Sequence, residues 1–214
     1  MPGASTDPSN VPSGDRNGKY WIPAECDVPQ RPGWFYHKNQ DSKVKTPNQL
    51  FEIYLKSVGR GANMNLGLAP MPEGILHRND VKSLKYFGEK LEKTFATNLA
   101  TGAKATSKQL RGKSAEFALE NIFDDDRYSY YAPKDNILNP EVEITLDGEK
   151  EFDLIRIREN IKLGQRLDSV VVDTWKNGKW VKLASATSIG ANRLIKLSEP
   201  AKATKLKVKL YAPV

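Results

Sequence analysis

Two hydrophobic periods succeed one another along the chain. Between Pro47 and Phe95 apolar residues recur three to four positions apart, with Leu50, Ile53, Tyr54 and Val58 on one face and Val81, Leu84, Phe87, Leu91 and Phe95 on another. That spacing predicts two amphipathic helices. Thr46-Pro47 supplies an N-cap with proline at the first helical position, and Gly59 a stop. Asn79 or Asp80 caps the second helix, whose wetted face carries Lys82, Lys85, Lys90 and Lys93. A strand precedes each helix, near Tyr20 to Val28 and near Met64 to Ala69, so residues 20–97 contain two βα units. The Pro, Ser and Gly-rich residues 1–19 read as a loop or disordered lead-in.

From about Asn98 the period changes to two. Val142, Ile144 and Leu146, then Ile155 and Ile157, Val170 and Val172, and finally Leu206, Val208 and Leu210 alternate with polar residues, the pattern of half-buried strands. Asn177-Gly178, between Trp175 and Trp180, suits the positive φ angles of a type I′ hairpin turn. Repeated strands separated by turn residues predict an antiparallel sandwich over 98–214. The fold class is therefore α/β followed by all-β.

The 214 residues carry a net charge of +7. The lysines are not clustered as a phosphate-binding patch: Lys205, Lys207 and Lys209 alternate with Leu206, Val208 and Leu210, as the wet face of a strand does, where lysine also discourages edge pairing. A nucleic-acid partner is not expected. One cysteine, Cys26, excludes an internal disulfide and reads as strand packing. Two histidines, His37 and His77, lack the spacing of a zinc site. No apolar run reaches the ~18 residues of a membrane span, and the first residues show no signal-peptide pattern.

The densest chemistry lies in Trp21-Ile22-Pro23-Ala24-Glu25-Cys26-Asp27-Val28 and Arg31-Pro32-Gly33-Trp34-Phe35-Tyr36-His37. On a strand, Glu25 and Asp27 leave the same face, so two carboxylates share one wall. Arg31 can fork onto a carboxylate or a hydroxyl-bearing ligand. Trp34, Phe35 and Tyr36 offer flat apolar surfaces suited to the C–H face of a sugar. The alternative for each residue is structural: a Glu25–Arg31 ion pair and aromatics in the core.

These two strings, with Lys56-Ser57-Val58-Gly59-Arg60-Gly61-Ala62-Asn63, resemble the late part of the catalytic barrel of bacterial α-L-fucosidases, glycoside hydrolase family 29. The family pattern has Ser-Ile where this chain has Pro29-Gln30, and an Asn near Gly67. The resemblance implies the last two βα units of a (β/α)8 barrel, retaining hydrolysis of terminal α-L-fucosides, and a periplasmic or extracellular location. It also implies that the nucleophilic Asp, in a Trp-Phe-Asp-Gly type motif absent here, and the acid/base Glu lie upstream. A closed barrel needs ~250 residues, more than this chain has. Catalytic residues are therefore expected outside the chain. Glu25, Asp27, Arg31, Trp34 and His37 are expected to bind substrate: Trp34 by apolar contact, Glu25 and Asp27 through sugar hydroxyls, Arg31 and His37 by orienting them. A fucosylated oligosaccharide or glycan is the expected partner.

In the second half, Asn98-Leu99-Ala100, Asn121 to Tyr128, Glu159 to Arg166 and Gly178-Lys179-Trp180 resemble the discoidin-like (coagulation factor C-type) galactose-binding module, which implies a jelly-roll sandwich that binds carbohydrate. No cofactor is required. Asp124 and Asp126 are candidate ligands of a structural calcium ion, since hard oxygen donors on a tight loop suit one, and a solvated turn is the equal alternative. Tyr128, Tyr130 and Tyr131 form either a sugar platform or rim packing. Two other classes remain: a non-catalytic glycan-binding or adhesion protein using the sandwich, and a decayed or wrongly started reading frame.

Overall fold

The computed structural model describes residues 24–212 together with Lys19 and Ile22. The expected lead-in, and Tyr20, Trp21 and Pro23 of the expected first strand, lie outside the described residues. The chain divides into two compact units, 1–97 and 98–214.

The first unit runs β1 (Glu25–Pro29), α1 (Pro47–Lys56), β2 (Asn63–Gly67) and α2 (Arg78–Phe95). β1 and β2 pair in parallel with Glu25 opposite Asn63, Asp27 opposite Asn65 and Pro29 opposite Gly67. In both strands the period is two: Cys26, Val28, Met64 and Leu66 are half-buried, while Glu25, Asp27, Asn63 and Asn65 are exposed. Each helix forms for a legible reason. Thr46 closes a capping box with Gln49, Pro47 is pre-set for the first turn, and Leu50, Phe51 and Leu55 are buried. The helix stops at Lys56 rather than at Gly59, because the Ser57 hydroxyl donates to the Ile53 carbonyl at 2.8 Å and a short 3-10 turn follows.

α2 departs from its expected cap and stripe. His77 is the N-cap, its Nδ1 accepting from the Asn79 amide at 3.2 Å. Val81 is 50% exposed and Phe95 37%. Asp80 and Ser83 are the buried residues instead, because the helix turns its first two turns toward polar groups of the loops after β1. Tyr54 meets Phe87 and Phe95 at ring distances of 6.3 and 6.1 Å, which ties α1 to α2.

The second unit is built on one hydrogen-bonded antiparallel sheet of order β3-β4-β7-β5-β6: β3 (Lys104–Thr106), β4 (Glu141–Ile157), β5 (Ser169–Lys176), β6 (Lys179–Thr187) and β7 (Arg193–Tyr211). β4 and β7 are long and pair along most of their length, with register shifts between Thr145 and Lys150 and between Phe152 and Leu154. Bulges of this kind bend a strand and sharpen its twist. Val170, Val172, Ala186, Ile189 and Ile195 form the buried core, with Ile155, Ile157, Leu206, Val208 and Leu210 packed on it. The β5–β6 turn is Asn177-Gly178 at φ of 52° and 76°, with Trp175 opposite Trp180 and the two rings edge-on, centroids 5.0 Å apart. β7 lies inside the sheet, so its lysines do not protect an edge. Lys207 sits 3.0 Å from Glu143 and 4.6 Å from the Trp180 ring centre, and Lys209 pairs with buried Asp173 at 2.7 Å. Among the described residues no helix is long and apolar enough to cross a membrane.

Candidate functional site

The carboxyl ends of β1 and β2 lie side by side, and in βα architectures that end carries the binding loops. The loop leaving β1 is fastened there by its backbone: the Gln30 amide donates to the Gly67 carbonyl at 2.9 Å, and the Lys45 amide to the Gln30 carbonyl at 2.9 Å. Lys45 Nζ adds a 2.6 Å bond to the Pro29 carbonyl.

Arg31 anchors the loop from inside. Its side chain is fully buried, and Nε and Nη2 donate to Asp80 Oδ1 and Oδ2 at 2.9 and 2.5 Å. Nη1 donates to Asp41 at 3.0 Å and reaches the His37 carbonyl at 3.4 Å. The Tyr36 ring lies 4.8 Å from the guanidinium, and its hydroxyl donates to Asp41 at 3.4 Å. Donation to the Asp80 carboxylate raises the Arg31 pKa and holds the guanidinium charged. A two-toothed fork on a carboxylate, with a second carboxylate behind it, satisfies the buried charge. Arg31 therefore faces the α2 N-terminus and the Asp41 turn, not Glu25 and Asp27, and no Glu25–Arg31 ion pair forms among the described contacts. Its expected contact with substrate is replaced by a structural one, since a ligand cannot reach a guanidinium enclosed by two aspartates.

The other expected residues divide into two groups. Glu25 and Asp27 share the exposed face of β1, as their spacing requires, and Asn65 Nδ2 donates to Asp27 Oδ1 at 2.8 Å. Trp34 lies beyond the end of β1 with its indole against Gly67, where an added Cβ would meet Cζ3 at 2.8 Å and Cε3 at 3.0 Å. The indole remains 54% exposed, and neighbouring Phe35 is 78% exposed. His37 is exposed and begins the 3-10 turn Lys38–Lys43 without a side-chain cap. The sheet face thus offers carboxylates and amides, and the strand end a flat apolar ring: a surface for a polyhydroxylated ring with one apolar face.

Asp41 and Lys45 carried no signal in the sequence, and Gly67 only a departure from a family pattern. Asp80 was legible only as a cap, because nothing in the local pattern links it to Arg31, 49 residues away. A lone arginine between a strand and an aromatic run was the one available signal.

In the second unit the acidic loop is a stitched turn. Asp124 Oδ1 accepts from the Asp126 amide at 2.9 Å, Asp126 Oδ1 from the Tyr128 amide at 2.8 Å, and the Ser129 hydroxyl reaches both Asp124 oxygens at 2.8 and 2.7 Å. Asp125, at φ 61°, turns outward to Arg156 and Arg158 at 2.6 and 3.0 Å. Among the described residues no group of three or more His, Cys, Asp or Glu side chains is placed to hold a metal. One oxygen of each carboxylate, Asp124 and Asp126, is thus engaged by a backbone amide of the turn itself. Tyr128 is covered by Lys162, with Nζ 3.6 Å from the ring centre, Tyr130 packs on Phe117 at 5.7 Å, and the Tyr131 hydroxyl lies 3.1 Å from Ser107. Each of the three tyrosines thus has a packing or hydrogen-bond partner of its own. Glu159, next to this loop, accepts three backbone amides, from Arg166 (2.7 Å), Leu167 (2.9 Å) and Gly190 (2.6 Å). Burial pushes its pKa up against the pull of those bonds.

Residues 8–94 match the family model described as Alpha-L-fucosidase. The chain is 34% identical to Alpha-L-fucosidase 1 of Arabidopsis thaliana over 206 residues, covering 95% of this chain and 40% of that protein. Among solved structures, a Ruminococcus gnavus glycoside hydrolase family 29 fucosidase in complex with fucose superposes with a TM-score of 0.86 at 30% identity, covering 94% of this chain and 40% of that one. A Bacteroides thetaiotaomicron structure assigned to the α-L-fucosidases gives 0.86 at 33%, covering 94% and 44%. The chain spans about 40% of the length of the curated relative it matches, and over nearly all of its own length its similarity is to α-L-fucosidases of glycoside hydrolase family 29.

Proposed function

We propose that this chain contributes the closing part of the substrate site of a retaining α-L-fucosidase that hydrolyses terminal α-L-fucosides of glycans. The observation that carries the reading is the pairing of the family match over 8–94 with an exposed indole at the carboxyl ends of two parallel strands. β1 and β2 are then the last two strands of a (β/α)8 barrel, and residues 98–214 an appended jelly-roll sandwich of discoidin-like type. Trp34 takes the apolar face of the fucose or the next sugar. Asp27, held by Asn65, and Glu25 accept bonds from sugar hydroxyls, with His37 at the rim. Arg31 acts through the loop, as a positioning residue for Trp34.

In such an enzyme an Asp attacks the anomeric carbon while a Glu protonates the departing oxygen. Water then attacks the glycosyl-enzyme, with the same Glu taking its proton. Both carboxylates belong to barrel strands outside this sequence. The product is released outside the cytoplasm, in the periplasm or beyond the cell. No cofactor, metal or nucleic acid enters the scheme.

The test is an α-L-fucoside assay of the full translated reading frame beside the 214-residue chain. Fucose release by the first and not by the second supports the assignment. Release by the chain alone would put the nucleophile within it. With no release by either, glycan capture by 98–214 on a glycan array would favour a binding protein.

A further inference from the structure

Gly67 ends β2 in a backbone conformation open to any residue, since its φ lies outside the left-handed region. Its lack of a side chain is therefore not a demand of the chain path. The demand comes from across the strand pair: Gly67 stands opposite Pro29, and the Trp34 indole occupies the place a Cβ would take, 2.8 Å from Cζ3 and 3.0 Å from Cε3. Carbon atoms in contact prefer about 3.5–4.0 Å. The clashing atoms belong to the six-membered ring of a half-exposed indole, which can swing outward, so a side chain at 67 displaces the ring rather than the strand.

We propose that Gly67 is the positioning residue that seats Trp34: the vacancy at the end of β2 lets the indole lie flat over the strand ends as an apolar platform for the C–H face of a pyranose. The ligand clause rests on the fucoside reading above; the seating does not. Affinity for the sugar then depends on Gly67 only while Trp34 is present. Alanine at 34 carries no ring to meet a Cβ at 67, so the two positions are coupled in a double-mutant cycle.

The experiment labels the full translated reading frame with 5-fluorotryptophan, assigns Trp34 by its loss in Trp34→Phe, and titrates methyl α-L-fucopyranoside by fluorine NMR. Gly67→Ala is expected to move the Trp34 resonance and leave Trp175 and Trp180 in place. It is expected to weaken glycoside binding roughly tenfold, with no further loss in the Trp34→Ala background. A Trp34 resonance unchanged by Gly67→Ala overturns the seating. A resonance that moves with Gly67→Ala but never responds to the glycoside upholds the seating and overturns the sugar platform, while fucose release by the same protein decides the fucoside reading separately. Should Gly67→Ala not fold, glycine-labelled wild-type protein answers instead: the Gly67 α-protons are ring-current shifted and return to ordinary positions in Trp34→Ala. Identical Gly67 shifts in both proteins would overturn the proposal.

Discussion

Arg31 and Asp80 form a buried, two-pronged ion pair that joins the loop after β1 to the first turn of α2, with bonds of 2.9 and 2.5 Å. Both side chains are fully buried, so neither tolerates the loss of its partner. Asp80→Ala leaves the guanidinium with Asp41 as its remaining carboxylate and costs about 3–5 kcal/mol in urea unfolding. Replacing both, as Arg31→Met with Asp80→Leu, costs clearly less than the sum of the single changes. Additive costs would mean that the pair is not coupled.

Trp34→Ala separates binding from stability. The indole is largely exposed, so the change alters unfolding free energy by about 0.5 kcal/mol or less. In the full reading frame it lowers kcat/KM for a fucosylated oligosaccharide by about tenfold or more. Unchanged kinetics would remove Trp34 from the site.

Gln30 is buried, donates through Nε2 to the Asp80 carbonyl at 3.0 Å, and leaves Oε1 without a partner among the described residues. An orphaned buried acceptor costs about 1–3 kcal/mol, which offsets the bond its own amide makes. Gln30→Leu is therefore expected to change stability by less than about 1 kcal/mol, or to raise it. A loss above about 2 kcal/mol, measured by urea titration, would mean that Oε1 is satisfied.

Glu159 gives a pH dependence of definite sign. Burial raises its pKa in the folded state, so between the ordinary glutamate range and the raised value the folded chain holds more protons than the unfolded one. Its contribution is complete below the ordinary range and is lost as pH rises through the raised pKa. The stability of wild type relative to Glu159→Gln should therefore fall in urea titrations as pH rises above the ordinary glutamate range. A gap that widens with pH would mean that the three backbone donors outweigh burial.

The strands and helices were legible because each follows from a local rule. The Thr46 box, the Asn177-Gly178 turn and the alternation at Glu25 and Asp27 each depend on a few adjacent residues. The tertiary exceptions were not legible in this way. Val81 faces solvent and Asp80 the interior because α2 is oriented by Arg31, whose partner stands 49 positions away. Lysines 205 to 209 looked like the guard of an edge, yet strand order is a property of long-range pairing and places β7 inside the sheet. Glu25 and Asp27 share the exposed face of β1 on which their spacing put them. Gly67 was visible only as a departure from a family pattern, since its meaning lies in a ring from another loop.

The most direct measurement follows the anomeric proton of fucose by NMR as the full translated reading frame hydrolyses an α-L-fucoside, with Trp34→Ala alongside. The expected result is α-L-fucose appearing first, before mutarotation, at a rate that falls about tenfold or more in the variant. Release of β-L-fucose first, or no hydrolysis of any α-L-fucoside, would contradict a retaining fucosidase.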